Sequence, residues 1–371
     1  MSGLYFHIPF CRQSCIYCNF YFKNGRKYVA EYTQALLKEI DLKLNGISGE
    51  FETLYFGGGT PSYLGNAELQ SIVHKLSDYV QIGDLKEFTL EANPDDMSES
   101  NLRYWKQLGV TRLSVGIQSF IDSHLNWMNR AHTAGEAEAA LSLAHNMGFD
   151  LSVDILFGIP GSNNEQLLFN LDKAMSFQIQ HLSCYGLTLE DKTPWKKLIK
   201  TKGYDKPDDQ LGAEQFQLTM NHLRSKGWEQ YEISNYCLPG KQAIHNSSYW
   251  KNKTYIGFGP SAHSYNGHQR CWNVADLNAY VEALSQGVLP QECEQLSQSD
   301  HFNEYVMTSL RTIWGMDLNV LSKFNPDMET TIERLNHYIE KGMIIKKGDV
   351  YLLTDHGKFY ADALASDLFI V

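Results

Sequence analysis

The chain has no hydrophobic run approaching the roughly 18 consecutive apolar residues that would span a bilayer, so no membrane segment is expected. Positive charge is scarce. The 32 Lys and Arg stand against 43 Asp and Glu, a formal charge of −11. A nucleic-acid surface needs clustered cations to meet the phosphate backbone, so no nucleic-acid partner is expected. No repeats or low-complexity segments are visible. The opening residues MSGLYFHIPF lack both a basic stretch and an apolar core, which argues against a secretory signal or an Arg-rich transit peptide. Cysteines number seven, an odd total without the spacing of a disulfide framework. That usage fits a reducing compartment, and a cytoplasmic location is the expectation. Four of them, Cys184, Cys237, Cys271 and Cys293, are scattered and read as small buried or inert thiols.

The other three are the informative ones. Cys11, Cys15 and Cys18 stand in His7-Ile-Pro-Phe-Cys-Arg-Gln-Ser-Cys-Ile-Tyr-Cys18, so one short loop offers three thiolates. An iron–sulfur cubane normally takes one thiolate per iron, and a loop supplying three can hold it while one iron stays open to a small molecule. The same spacing suits tetrahedral zinc, which needs a fourth ligand. His7 is the nearest candidate for that role.

From Thr53 to Gly186 short β-rich runs alternate with helical stretches, the pattern of βα units on a parallel sheet. Leu4–Ile8, Thr53–Phe56, Glu87–Glu91, Arg112–Gly116, Leu151–Leu156 and His181–Gly186 read as strands. Asn66–Tyr79, Glu99–Leu108, Gly135–Met147 and Asn163–Phe177 read as helices, two of them closed by Gly109 and Gly148. Six units are too few for a closed eight-unit barrel. The fold class expected is α/β, an open partial (β/α)6 barrel over residues 1–190, with ligands at the C-terminal strand ends. Residues 191–300 read as a connecting α+β region with a helix near Ala213–Lys226 and a short strand at Gln230–Ser234. Residues 301–371 read as a smaller winged-helix-like unit, with a helix at Thr330–Lys341 and a strand at Val350–Thr354. That segment carries more acid than base and is expected to act in packing or as a lid.

Several polar residues fall at these strand ends. Gly57-Gly58-Gly59-Thr60-Pro61-Ser62 follows the second strand and exposes backbone groups to a ligand, and no Lys follows that would make it a Walker loop. Glu91, Gln118, Arg130 and Asp154 lie at or just past other strand ends. A charge such as Asp154, set between Val153 and Ile155, is costly to bury unless it meets something polar.

These motifs, in this order, resemble the radical S-adenosylmethionine (SAM) enzymes, and among them the oxygen-independent coproporphyrinogen III oxidase group. The resemblance rests on Tyr5-Phe-His-Ile-Pro-Phe-Cys11-x3-Cys15-x-Tyr17-Cys18, Tyr55-Phe-Gly-Gly-Gly-Thr-Pro-Ser62, Glu91, Gly116-Ile-Gln118-Ser-Phe120, Asn129-Arg130 and Asp154-x3-Gly158-x-Pro160. It implies a [4Fe–4S] cluster on the three cysteines, with SAM on the fourth iron and reductive SAM cleavage as the family chemistry. It places Tyr17 near the adenine and Gly58, Gly59 and Thr60 at the methionine end. Tyr5, Glu91, Gln118, Arg130 and Asp154 match positions that bind SAM or a second SAM. Two departures separate this chain from the oxidases of the group. Phe20 stands where they carry a further cysteine, and only ten residues precede Cys11 where they have a long arm. The matching branch is the heme chaperone (HemW-like) one, and Ala243-Ile-His245-Asn246-Ser-Ser-Tyr249-Trp250 fits its His-Asn-x-x-Tyr-Trp pattern. The resemblance thus implies heme as cargo, delivered to acceptors such as respiratory proteins, with at most peripheral membrane contact through them. Coproporphyrinogen oxidation is the alternative. His245 is the expected axial ligand, with Asn246, Tyr249 and Trp250 around the macrocycle and His263 as rival ligand.

Overall fold

The structure is a computed structural model that describes residues 3–47, 50–325 and 327–370. Six parallel strands form its centre: β1 (Gly3–Ile8), β2 (Thr53–Gly58), β3 (Glu87–Ala92), β4 (Arg112–Gln118), β5 (Asp150–Phe157) and β6 (His181–Gly186). They lie side by side in sequence order, each linked to the next by a helical crossover: α1 (Val29–Leu44), α2 (Asn66–Leu76), α3 (Glu99–Gln107), α4 (Ala134–Asn146) and α5 (Asn164–Met175). The sheet does not close. Its strand order runs in one open sheet, which matches the expected partial barrel.

Period-two alternation dictates the layering. Leu4, Phe6, Ile8, Leu54, Phe56, Phe88, Leu90, Leu113, Val115, Leu151 and Val153 are buried in the main core with helix residues such as Leu36, Ile72, Leu102, Leu141 and Leu171. The intervening residues, among them Tyr5, Tyr55, Glu87, Glu91, Arg112, Asp154 and His181, point to the other face and make a polar lumen. Helix ends follow local chemistry. Thr133 with Glu136 and Asn163 with Gln166 form capping boxes at the starts of α4 and α5. Gly109 and Gly148 end α3 and α4 with positive φ, as the sequence suggests.

The connecting region extends the same sheet at both edges. Asn235–Cys237 pairs antiparallel with β6, and Glu229–Gln230 pairs with it in turn. The strand expected at Gln230–Ser234 is therefore two short strands flanking a turn. On the other edge β7 (Tyr255–Phe258) runs parallel to β1, followed by antiparallel β8 (His263–Tyr265), β9 (Gln269–Asn273) and β10 (Gln291–Gln295). One expectation fails here. Cys271 and Cys293 are not separate inert thiols; they face each other across β9 and β10 and form a disulfide. The pairing comes from hairpin register, which spacing does not reveal.

Residues after Gln298 gather round their own core of Phe302, Val306, Leu310, Met316, Leu335, Ile344 and Tyr351. Helices Gln298–Leu310 and Glu329–Glu340 precede a hairpin, Ile344–Lys347 with Val350–Leu353, to which Met316–Asp317 adds a third strand. Among the described residues no helix is long and apolar enough to cross a membrane.

Candidate functional site

Past Ile8 the chain turns into the cysteine loop, which is tied down along its length. Lys23 N–H donates to Pro9 O at 2.6 Å and Gly25 N–H to Cys11 O at 3.0 Å. The Asn129 side chain donates to Ser14 O at 2.7 Å, and Gln13 returns a bond to Asn129 O at 2.7 Å. Arg12 pairs with Asp96 at 2.6 Å. So anchored, the free thiols of Cys11, Cys15 and Cys18 border one cavity of about 470 Å³. Tyr17, Gly58, Gly59, Thr60, Glu91, Gln118, Arg130 and Asp154 border the same cavity. Tyr5 does not. It lines a second cavity, also about 470 Å³, that adjoins the first across Phe20, Gly58 and Glu91.

The glycine run is what lets two loops meet. Gly59 N–H donates to Ile8 O at 2.9 Å and Thr60 N–H to Phe10 O at 2.8 Å, so the run is laced beneath the cysteine loop. A Cβ on Gly59 would lie 2.9 Å from both Ile8 O and Phe10 O, and both obstacles are backbone. Thr60 Oγ1 then donates to Cys11 Sγ at 3.5 Å. Gln118 reaches the cavity through an irregularity in the pairing of β4 with β5 and holds φ at 69°, a strained value for a residue with a side chain.

Charge in the cavity is deeply buried. Burial raises the Cys11 thiol to about 12 and lifts Cys18 as well, so iron must displace protons on binding. Arg130 supplies the compensating cation. It donates to Cys15 Sγ at 3.3 Å, Asn93 Oδ1 at 2.7 Å and Gly116 O at 2.5 Å, while its buried Nε has no partner among the described residues. Burial lifts Glu91 to about 7, against the opposing hydrogen bond from Tyr55 at 2.7 Å. Burial likewise lifts Asp154 to about 6.

The donor set fits a cubane better than a single metal ion. Among the described residues no three His, Cys, Asp or Glu side chains could jointly hold one metal ion, whereas a cluster takes one thiolate at each of three separate irons. His7, the one fourth ligand that a zinc site could draw on nearby, has both ring nitrogens engaged, with Tyr5 OH at 3.1 Å and Tyr21 O at 3.0 Å. The chain's own residues would therefore hold a [4Fe–4S] cluster on three thiolates, with Arg130 against one sulfur. SAM would lie along the glycine run toward Glu91, Gln118 and Asp154.

The His-Asn-x-x-Tyr-Trp segment forms a short helix, α6 (Ile244–Trp250), that plugs the lumen. Glu87 accepts the backbone N–H of Ile244 at 2.8 Å and of His245 at 3.0 Å. Sequence reasoning passed over Glu87 as a strand's first residue. His245 is 2% exposed, stacks on Tyr55 at 4.9 Å, and spends both nitrogens on Thr53 Oγ1 and Tyr249 OH, each at 2.8 Å. Its imidazole has no free nitrogen for an iron. For iron to take this imidazole, the expected axial ligand, it would have to displace the Thr53 or the Tyr249 hydroxyl. Trp250 and Asn246 border neither cavity; the Trp250 ring lies 5.7 Å from the Arg311 guanidinium of the C-terminal unit. Of the four motif residues only Tyr249 reaches a cavity, the second one, where the rival His263 also stands.

Comparison with known proteins places this architecture. A radical SAM superfamily model matches residues 5–174. The chain is 32% identical to the heme chaperone HemW of Bacillus subtilis over 96% of each chain. It is 30% identical to HemW of Escherichia coli over 98% of this chain and 96% of that one. The solved coproporphyrinogen III oxidase HemN of Escherichia coli shares the fold, with a TM-score of 0.87 at 22% identity over 99% of this chain and 90% of its own. Radical SAM proteins as a family carry a [4Fe–4S] cluster and SAM. With this identity along nearly its whole length, the chain belongs to the HemW family of the radical SAM superfamily.

Proposed function

We propose that this protein is a heme chaperone: it holds a [4Fe–4S] cluster and SAM in the cysteine-lined cavity, carries heme as cargo, and passes it to acceptors such as respiratory proteins. The observation that carries the reading is the near full-length relationship to chaperones, joined to an aromatic cavity beside the cluster loop. Phe20 separates this reading from porphyrinogen oxidation. At the position where the oxidases of the group carry a further cysteine, it presents a 67% exposed apolar ring that borders both cavities. An aromatic there supplies apolar cover for a macrocycle and no ligand for a metal.

The residues would divide the work as follows. Cys11, Cys15 and Cys18 hold the cluster and Arg130 offsets its thiolate charge. Tyr17 and the glycine run bracket SAM, while Glu91 and Asp154 face its cationic sulfonium end. The group supplies electron transfer to SAM when reduced. A hemin titration of anaerobically reconstituted protein, run beside an assay for coproporphyrinogen III consumption, tests the proposal. Saturable hemin binding with no protoporphyrinogen IX is expected, and catalytic product formation without hemin binding would overturn it.

A further inference from the structure

Three histidines stand near the second cavity, and their hydrogen bonds sort them. His7 and His245 each have both ring nitrogens engaged within the protein. His263 is exposed at the cavity wall, and its ring has no hydrogen-bond partner among the described residues. Its nearest ring neighbour is Trp272, centroids 6.2 Å apart, which bounds one side of the imidazole without using its nitrogens.

The rest of the cavity suits a large flat apolar ligand. Tyr5, Phe20, Tyr21, Tyr249 and Tyr255 supply aromatic walls around about 470 Å³, a volume within the range of small-molecule and cofactor sites. The segment leading to His263 is held rigidly. Glu39 accepts Gly259 N–H at 2.8 Å, Asn273 donates to Gly259 O at 2.7 Å, and Ser261 keeps φ at 63° on the cavity rim. Lys23 does not line the cavity, but its ammonium lies 5.8 Å from the centre of the Tyr21 ring, one of the cavity walls, and offers a nearby cation for a propionate. We propose that heme binds in this second cavity with its iron on the His263 imidazole and one face against the Tyr249 and Tyr255 wall. His245 is then a positioning residue that fixes Tyr249 through its hydroxyl. Because Phe20, Gly58 and Glu91 are shared walls, the cargo sits directly beside the SAM cavity.

This rests on the heme-carrying reading, and the test separates the two. Reconstituted wild type, His263→Ala, His263→Cys and His245→Ala are titrated with hemin under anaerobic conditions, with absorption and electron paramagnetic resonance spectra and with iron and sulfide analysis as the fold control. His263→Ala is expected to lose the imidazole-ligated spectrum, to weaken hemin binding about tenfold or more, and to regain the spectrum when free imidazole is added. His263→Cys is expected to give a thiolate-ligated ferric spectrum. His245→Ala is expected to keep an imidazole-ligated spectrum with a smaller loss of affinity. If His263→Ala binds hemin as wild type does and His245→Ala loses the imidazole signature, the assignment falls while the chaperone reading stands. If wild type shows no saturable hemin binding, both fall.

Discussion

Glu39 of α1 is fully buried and serves four donors, so its removal gives the sharpest stability test of the wall that carries His263. Its carboxylate takes Gly259 N–H at 2.8 Å, Tyr280 OH at 2.6 Å, Asn273 Nδ2 at 2.6 Å and the Lys43 ammonium at 2.7 Å. In Glu39→Ala the Lys43 side chain, itself only 8% exposed, keeps just Gly257 O at 2.8 Å and Asn273 Oδ1 at 3.2 Å, both neutral. Breaking a buried ion pair from one side costs about 3–5 kcal/mol, because the remaining charge stays uncompensated. With an unfolding entropy of about 2.1 cal/mol/K per residue, a chain of 371 residues shifts by about 1.3 °C per kcal/mol, so the midpoint should fall by about 4–6 °C. Thermal denaturation followed by far-ultraviolet circular dichroism reads that shift directly. Glu39→Ala/Lys43→Met should recover at least half of it, since an apolar pair leaves no charge behind. A Glu39→Ala midpoint within 2 °C of wild type, or a double variant less stable than the single one, would refute the reasoning.

Cys15→Ala should drop iron from about four per reconstituted chain to near zero, measured with acid-labile sulfide, because two thiolates do not retain a cubane. Gly59→Ala should abolish SAM binding and cut cluster yield, since the added methyl meets the backbone oxygens of Ile8 and Phe10; isothermal titration under anaerobic conditions checks it. Glu91 and Asp154 have carboxyls raised by burial to about 7 and about 6, so the native chain keeps protons that the unfolded chain has lost. Stability of the ligand-free protein should therefore fall as pH rises from the ordinary carboxylate range to about 7 and then level off. Midpoints recorded across that range for wild type and Glu91→Gln should show the upper part of the decline missing in the variant, with SAM affinity in wild type rising as the carboxylates ionise.

What was legible in the sequence was local. The cysteine loop, the glycine run and the strand-end residues Glu91, Gln118, Arg130 and Asp154 each sit beside a strong pattern, and parallel strands in sequence order bring their ends to one mouth. Partners distant in the chain were not legible. Glu39 meets Gly259 from 220 residues away, and nothing in α1 signals that bond. The Cys271–Cys293 disulfide follows from a hairpin register interrupted by a helix. The His-Asn-x-x-Tyr-Trp segment reads as one site because it is contiguous, yet a helix turns successive residues to different neighbours. His245 faces Thr53, Tyr249 faces the second cavity and Trp250 faces Arg311. His245 likewise lies far along the chain from Tyr55, yet their rings stack at 4.9 Å.

Heme transfer tests the central claim most directly. Reconstituted protein loaded with one equivalent of hemin is mixed anaerobically with a heme-free b-type cytochrome, and the acceptor's absorption spectrum is followed with and without SAM. The account predicts that heme leaves the chaperone and appears in the acceptor. Hemin that stays on the chain, or never binds it while coproporphyrinogen III is consumed, would contradict the account.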